Sequence, residues 1–263
     1  MNLFEKKYPG HKTVIPVGKS AVGGDFVIFA GPCAVESTRQ LMQLTSEIKP
    51  WVDGFRAGFF KPRTSPYSYA GSGSQGLEEL DSLNLGLPLI VELMSVEQVK
   101  KWADRIDIVQ IGARNMYNYP VLEAAAASGK PVLLKRHFSA TIEELLMAAE
   151  HILSRGNSQV MLCERGIRAF EPRLRNCLDL GTVCLLKQLT HLPVLVDPSH
   201  ATGDASLVQP LALASAAAGA DGLLLEVHPN PMEALSDGPQ SLTPAQLGEL
   251  TGKLRELLKL VRK

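Results

Sequence analysis

The sequence predicts an α/β protein built as a single (β/α)8 TIM barrel with a short N-terminal extension. Three observations carry this. The chain has 263 residues, and ~250 is usual for one such barrel. Eight short runs rich in β-formers recur along it, most of them continuously apolar, as in strands buried on both faces of a parallel sheet. Helical patterns fill most of the gaps, and repeated strand–helix alternation closes a parallel barrel. A doubly wound open sheet is the structural alternative. The segment GPCAVES after the first run lacks the glycines of a dinucleotide-binding fingerprint, however.

The runs, in order, are Phe26–Ala30, Gly54–Gly58, Pro88–Glu92, Ile106–Ile111, Pro131–Lys135, Gln159–Cys163, Pro193–Asp197 and Gly222–Glu226. The helical patterns are Ser37–Lys49, opened by a Ser cap; Ser95–Ala103, with Gln98 three residues after Ser95; Tyr117–Ser128, Ala-rich and stopped at Gly129; Ser139–Leu153; Leu207–Ala218, ended at Gly219; and Pro244–Val261. Residues 1–24 precede the first run and carry prolines and glycines. They are expected to form an arm or hairpin closing the bottom of the barrel, with residues 25–263 as the catalytic domain.

Composition narrows the partners. With 45% hydrophobic residues, 21% charged and a net charge of zero, nothing points to nucleic acid or a membrane surface. The start, MNLFEKKYPG, has no apolar signal region, and no run approaches the ~18 apolar residues of a membrane span. Four cysteines do not make a disulfide framework in a chain this long. A cytoplasmic location with reduced thiols is the expectation, which leaves Cys33 available as a ligand.

Position then becomes informative, because a barrel builds its active site at the C-terminal ends of its strands. Just past the runs stand Cys33, Lys61 with Arg63, Glu92, Arg114, Lys135, Glu164 with Arg165, His200, and Glu226 with Asp237; Arg56 lies inside the second run. Loops are polar in any case, which accounts for each residue singly. It accounts poorly for their convergence on one rim. Arg56, Lys61, Arg63, Arg114, Lys135 and Arg165 exceed what one phosphate needs and suit two phosphates and a carboxylate. Cys33, His200, Glu226 and Asp237 follow the first, seventh and eighth strands, which are neighbours in a closed barrel. A thiolate, an imidazole and two carboxylates form a mixed soft and hard set that tolerates Mn²⁺, Fe²⁺, Co²⁺ or Zn²⁺. Taken singly, Cys33 reads as a small buried residue, His200 as a loop histidine and Asp237 as a turn residue.

Seven ordered motifs, GPCAVES, RAGFFKPRTSPYS, QIGARNM, KPVLLKR, LCERGIR, VDPSHATG and LEVHPNPMEALSDGPQSL, resemble the type I β-class of 3-deoxy-D-arabino-heptulosonate 7-phosphate (DAHP) synthases from about Gly31 to Leu242. The resemblance implies a TIM barrel, a divalent metal held by Cys33, His200, Glu226 and Asp237, and two substrates, phosphoenolpyruvate and erythrose 4-phosphate. It implies that Arg56, Lys61, Arg114, Lys135 and Arg165 bind phosphoenolpyruvate and that Arg63 and Thr64 hold the aldose phosphate. Lys61 is the implied proton donor to the aldehyde oxygen, and Glu92 with Lys135 would position the attacking water. A homodimer or homotetramer is expected from the same resemblance.

The chain departs from the family pattern at Ala34, in GPCA; at His137, where KRG is usual; at Ser95, where Asp is usual; and in YAGSGSQG. Two rival readings follow. One is a related synthase acting on another phosphorylated aldose, such as the octulosonate 8-phosphate type; KPRTS in place of a KANRS-type segment favours the four-carbon aldose. The other is a non-catalytic barrel acting as a sensor, which would be expected to lose a ligand or a basic residue. The short N-terminal extension leads to the expectation of no feedback inhibition through a fused domain.

Overall fold

The computed structural model describes residues 2–62, 65–80 and 85–262. Two short strands, β1 (Ile15–Val17) and β2 (Ser20–Val22), pair as an antiparallel hairpin. Eight further strands follow: β3 (Val27–Gly31), β4 (Gly54–Ala57), β5 (Leu89–Glu92), β6 (Ile108–Ile111), β7 (Val132–Lys135), β8 (Val160–Glu164), β9 (Val194–Val196) and β10 (Gly222–Glu226). They are parallel and close into a barrel, with β10 pairing back onto β3 from Gly222↔Val27 to Glu226↔Gly31. Each anticipated run overlaps its strand, with edges differing by a residue or two.

The helices are α1 (Thr38–Ile48), α2 (Gly73–Leu80), α3 (Val96–Trp102), α4 (Tyr119–Ala127), α5 (Ile142–Leu153), α6 (Leu180–Leu189), α7 (Pro198–Thr202), α8 (Ala205–Ala217) and α9 (Pro244–Val261). Local chemistry sets their starts. Ser37 accepts from Gln40 N, Ser95 from Gln98 N, and Thr141 and Thr243 close capping boxes with Glu144 and Gln246. Three helices were not anticipated. α2 contains Gly76, α6 begins after a long loop, and α7 is only five residues long. Among the described residues, no helix is long and apolar enough to cross a membrane.

Strand alternation divides the core in two. Val27, Phe29, Ile90, Ile108, Leu133, Met161, Cys163, Leu195 and Leu224 pack with Ile15, Val17 and Val22 of the hairpin inside the barrel. Their neighbours Ile28, Phe55, Val91, Val109, Leu134, Leu162, Val196 and Leu225 face the surrounding helices. Because the side-chain period of a strand is two, the inward parity continues upward to Arg56, Glu92, Gln110, Lys135, Asp197 and Glu226. The barrel is thus apolar where the hairpin enters and charged at the ends of its strands.

Candidate active site

A pocket of about 330 Å³ opens at the C-terminal ends of the strands, and Lys61, Glu92, Arg114, Lys135, Arg165 and His200 all line it. Asp237 and Arg175 complete one wall. Arg56 and Glu226 lie deeper, joined at 2.7 Å between Nη1 and Oε1 and both buried. Arg63 and Thr64 lie outside the described residues.

Cys33, His200, Glu226 and Asp237 come together with one ligand atom from each within 4.8 Å of the others. Cys33 Sγ is 3.0 Å from Asp237 Oδ2, and His200 Nε2 is 3.3 Å from Glu226 Oε1. The imidazole is held from behind, since its Nδ1 lies 2.7 Å from Asp197 Oδ2. Asp197 also accepts from His200 N as the cap of α7 and from Lys135 Nζ at 2.5 Å. A carboxylate on Nδ1 leaves Nε2 as the acceptor nitrogen facing Cys33 and the acids, the arrangement seen behind metal-bound histidines. Asp237 is held at φ 54°, the one non-glycine residue among those described with a positive φ. Such strain persists where surrounding structure over-determines it, often at ligand clamps. The donor set and its spacing could hold a divalent cation.

Burial and charge tune these groups. Burial pushes the Cys33 thiol up to about 12, helped by the Glu226 carboxylate. For Glu226 burial acts upward too, but His200, Arg56 and Lys61 outweigh it and hold the acid at about 2. Asp197 stays well below the usual carboxylate range against the same penalty, through His200 and Lys135. His200 is pulled below its ordinary value, chiefly by burial, despite Asp197 and Glu226. Near neutral pH Glu226 is therefore anionic, the imidazole neutral and the thiol protonated.

Glycines make the room. A Cβ on Gly112 would lie 1.9 Å from Glu92 Oε1, and one on Gly58 would lie 1.9 Å from the Cys33 carbonyl oxygen and 2.7 Å from Lys61 Nζ. Glu92 accepts from Gln110 Nε2 at 3.2 Å.

Among the described residues, Glu164 is the one rim residue that turns elsewhere. Its position in β8 has outward parity, and it bonds Arg136 Nη1 at 2.8 Å beneath α6 rather than lining the pocket. Ser95 likewise serves α3 as its cap and does not line the pocket, so the usual Asp there is replaced by another good capping residue. Sequence reasoning did not single out Gln110, Asp197, Arg175, Ser236 or Gln240. Strand parity could have found the first two. Nothing periodic marks the other three: Arg175 and Ser236 lie in loops, and Gln240 ends a three-residue 3-10 helix, Gly238–Gln240.

Fold and site together define an enzyme-type (β/α)8 barrel whose rim combines four side chains that could hold a cation with a cluster of Lys and Arg suited to phosphorylated acids. Residues 12–263 match the DAHP synthetase I family, and the chain belongs to it. It is 45% identical over 259 residues to a phospho-2-dehydro-3-deoxyheptonate aldolase of Thermotoga maritima, covering 97% of this chain and 77% of the relative. A crystal structure of that aldolase, also termed DAHP synthase, superimposes with a TM-score of 0.93 at 43% identity, covering 98% of this chain and 77% of the other. A truncated form of the Thermotoga maritima synthase gives 0.89 at 41% identity, with 98% and 96% covered. A 2-dehydro-3-deoxyphosphooctonate aldolase of Desulfatibacillum aliphaticivorans is more distant, 34% identical with 90% of this chain and 94% of the relative covered.

Proposed function

We propose that this chain is a metal-dependent DAHP synthase, joining phosphoenolpyruvate to erythrose 4-phosphate with release of inorganic phosphate, the first step of aromatic amino-acid biosynthesis. The observation that carries the reading is the meeting, in one pocket, of the Cys33, His200, Glu226 and Asp237 set with Lys61, Arg114, Lys135 and Arg165. Family membership over nearly the whole chain supplies the reaction class. A divalent ion, when bound, supplies Lewis acidity to the aldehyde oxygen; Mn²⁺, Fe²⁺, Co²⁺ and Zn²⁺ all suit the donors.

In this reading Arg56, Lys61, Arg114, Lys135 and Arg165 hold phosphoenolpyruvate. Their planar forks and point charges match a carboxylate and a phosphate, and Arg63 with Thr64 holds the aldose phosphate. C3 of phosphoenolpyruvate bonds to the aldehyde carbon, and Lys61 donates a proton to the oxygen that becomes a hydroxyl. The positive charge left at C2 is met by water, whose proton passes to Glu92 while Lys135 helps place it. Cleavage of the C2–O bond to phosphate, with the C2 hydroxyl proton leaving on the departing phosphate, then gives the keto product. A cytoplasmic homodimer or homotetramer is the assembly we expect.

The test is phosphate release from phosphoenolpyruvate with a panel of phosphorylated aldoses and divalent metals. Turnover with erythrose 4-phosphate that stops on chelation and returns with metal is expected. Turnover only with arabinose 5-phosphate would replace the assignment with the octulosonate reaction, and no turnover with any aldose would favour a sensor.

A further inference from the structure

We propose that Arg175 is a positioning residue for the cation site: it fixes one carboxylate oxygen of Asp237 directly and one of Glu226 through Gln240, so that the second oxygen of each acid faces Cys33 and His200. This rests on the metal reading given above. Arg175 Nη1 lies 3.3 Å from Asp237 Oδ1 and donates to Gln240 Oε1 at 2.8 Å. Gln240 Nε2 in turn donates to Glu226 Oε2. The amide orientation is forced, because a guanidinium offers only donors and an ionised carboxylate only acceptors. The remaining oxygens point to the site: Asp237 Oδ2 lies 3.0 Å from Cys33 Sγ, and Glu226 Oε1 lies 3.3 Å from His200 Nε2.

The seat of Arg175 is built into the backbone. Paired bonds between Ile167 and Cys177, at 2.9 and 2.8 Å, close the loop that carries it. Arg175 N donates to Thr202 O at 3.0 Å and Asn176 N to Ala201 O at 2.7 Å, which lays the segment along the helix bearing His200. Two glycines in left-handed conformations permit this approach. A Cβ on Gly203 (φ +75°) would lie 3.0 Å from Arg175 Cβ, and one on Gly166 (φ +88°) would lie 2.8 Å from Asn176 Cβ. One arginine therefore ties the α7 segment to the loop after β10, where Asp237 is held in its strained conformation. Unlike Arg165, which bonds the carbonyls of Gly166 and His200, Arg175 has its Nη1 committed to Asp237 and to Gln240, the amide that bonds Glu226.

The experiment titrates the whole chain with Co²⁺, without substrate. It reads the thiolate-to-cobalt absorption band, the affinity by chelator competition, and separately the affinity for phosphoenolpyruvate in the absence of metal. Arg175→Ala is expected to weaken Co²⁺ binding about 10–100-fold, the usual effect of removing a group that orients a ligand. Arg175→Lys should recover part of this, with metal-free phosphoenolpyruvate affinity almost unchanged in both. Should Arg175→Ala not fold, Gln240→Leu carries the test and should also weaken Co²⁺ binding. Parent-like Co²⁺ affinity in the soluble variants overturns the inference, and a loss confined to phosphoenolpyruvate affinity would make Arg175 an anion anchor. A parent chain that binds no Co²⁺ would overturn the metal reading itself, and this inference with it.

Discussion

At the scale of single residues, atoms too small to carry chemistry decide where the chemistry sits. Gly112 has an ordinary φ of −68°, so alanine there strains no backbone, yet its Cβ would occupy the place of Glu92 Oε1. Gly112→Ala should therefore leave the fold intact and lower kcat on the order of 10²-fold, the lower end of what a misplaced general base costs. Steady-state kinetics beside a thermal melt check this, and an unchanged kcat would remove Glu92 from the mechanism. His137 carries a pH signature. Burial first, then Arg165, Arg168 and Arg114, lower its pKa from the ordinary 6.5. A lowered histidine is neutral when folded and protonates more readily when unfolded, so its contribution destabilises the fold only as pH falls below 6.5. An anion bound at Arg114 and Arg165 offsets those charges, so phosphoenolpyruvate binding near about pH 6 should draw a proton onto the ring. Calorimetry in buffers of different ionisation heat reads that uptake, and His137→Gln should remove its share; identical uptake in parent and variant would exclude the histidine. Cys33, His200, Glu226 and Asp237 were legible because they follow strands. Arg175 and Gln240 were not, because long-range loop geometry, invisible to periodicity, brings them together.

Among the elements, the hairpin and the strand layers carry different loads. The strands were legible because eight buried runs can hardly be read otherwise, while α2, α6 and α7 were not: α2 is short and carries helix-weakening Gly76, α6 is weakly amphipathic, and the five residues of α7 are too few to show a period. The β1–β2 hairpin fills the end of the barrel opposite the pocket with Ile15, Val17 and Val22. Ile15 is fully buried, so Ile15→Ala should cost about 2–4 kcal/mol in urea unfolding through lost burial and a cavity. Kinetic constants measured in water should stay near those of the parent, because Ile15 sits in the hairpin and is not among the residues lining the pocket. Between β8 and α6 the Arg136–Glu164 pair is equally hidden, at 5% and 0% side-chain exposure. Arg136→Met leaves Glu164 buried without its cation and should destabilise by about 3–5 kcal/mol. A loss of activity without a loss of stability would instead place Arg136 in the pocket.

For the whole molecule, the same inward parity that stacks an apolar core near the hairpin delivers acids and bases at the opposite end, so stability and chemistry are separated along one axis. The net charge of zero hides this, because the acids and bases cancel across the chain while Lys61, Arg114, Lys135 and Arg165 converge on one mouth. The cation set then ties the molecule to pH in a defined direction. Without metal, burial and Glu226 push the Cys33 thiol up to about 12, so at neutral pH it carries its proton. A thiol must lose that proton to become a ligand, and metal binding releases it. Glu226, held at about 2, is already ionised, and the lowered His200 is already neutral, so neither competes near neutral pH. Apparent affinity for Co²⁺ or Zn²⁺ should accordingly rise about tenfold per pH unit from about pH 6.5 to 8.5, one proton leaving per ion bound. Chelator competition across that range measures the slope, and Cys33→Ala should flatten it. A parent profile that is flat from the outset would mean that the thiol keeps its proton and that the ion is held by nitrogen and oxygen alone.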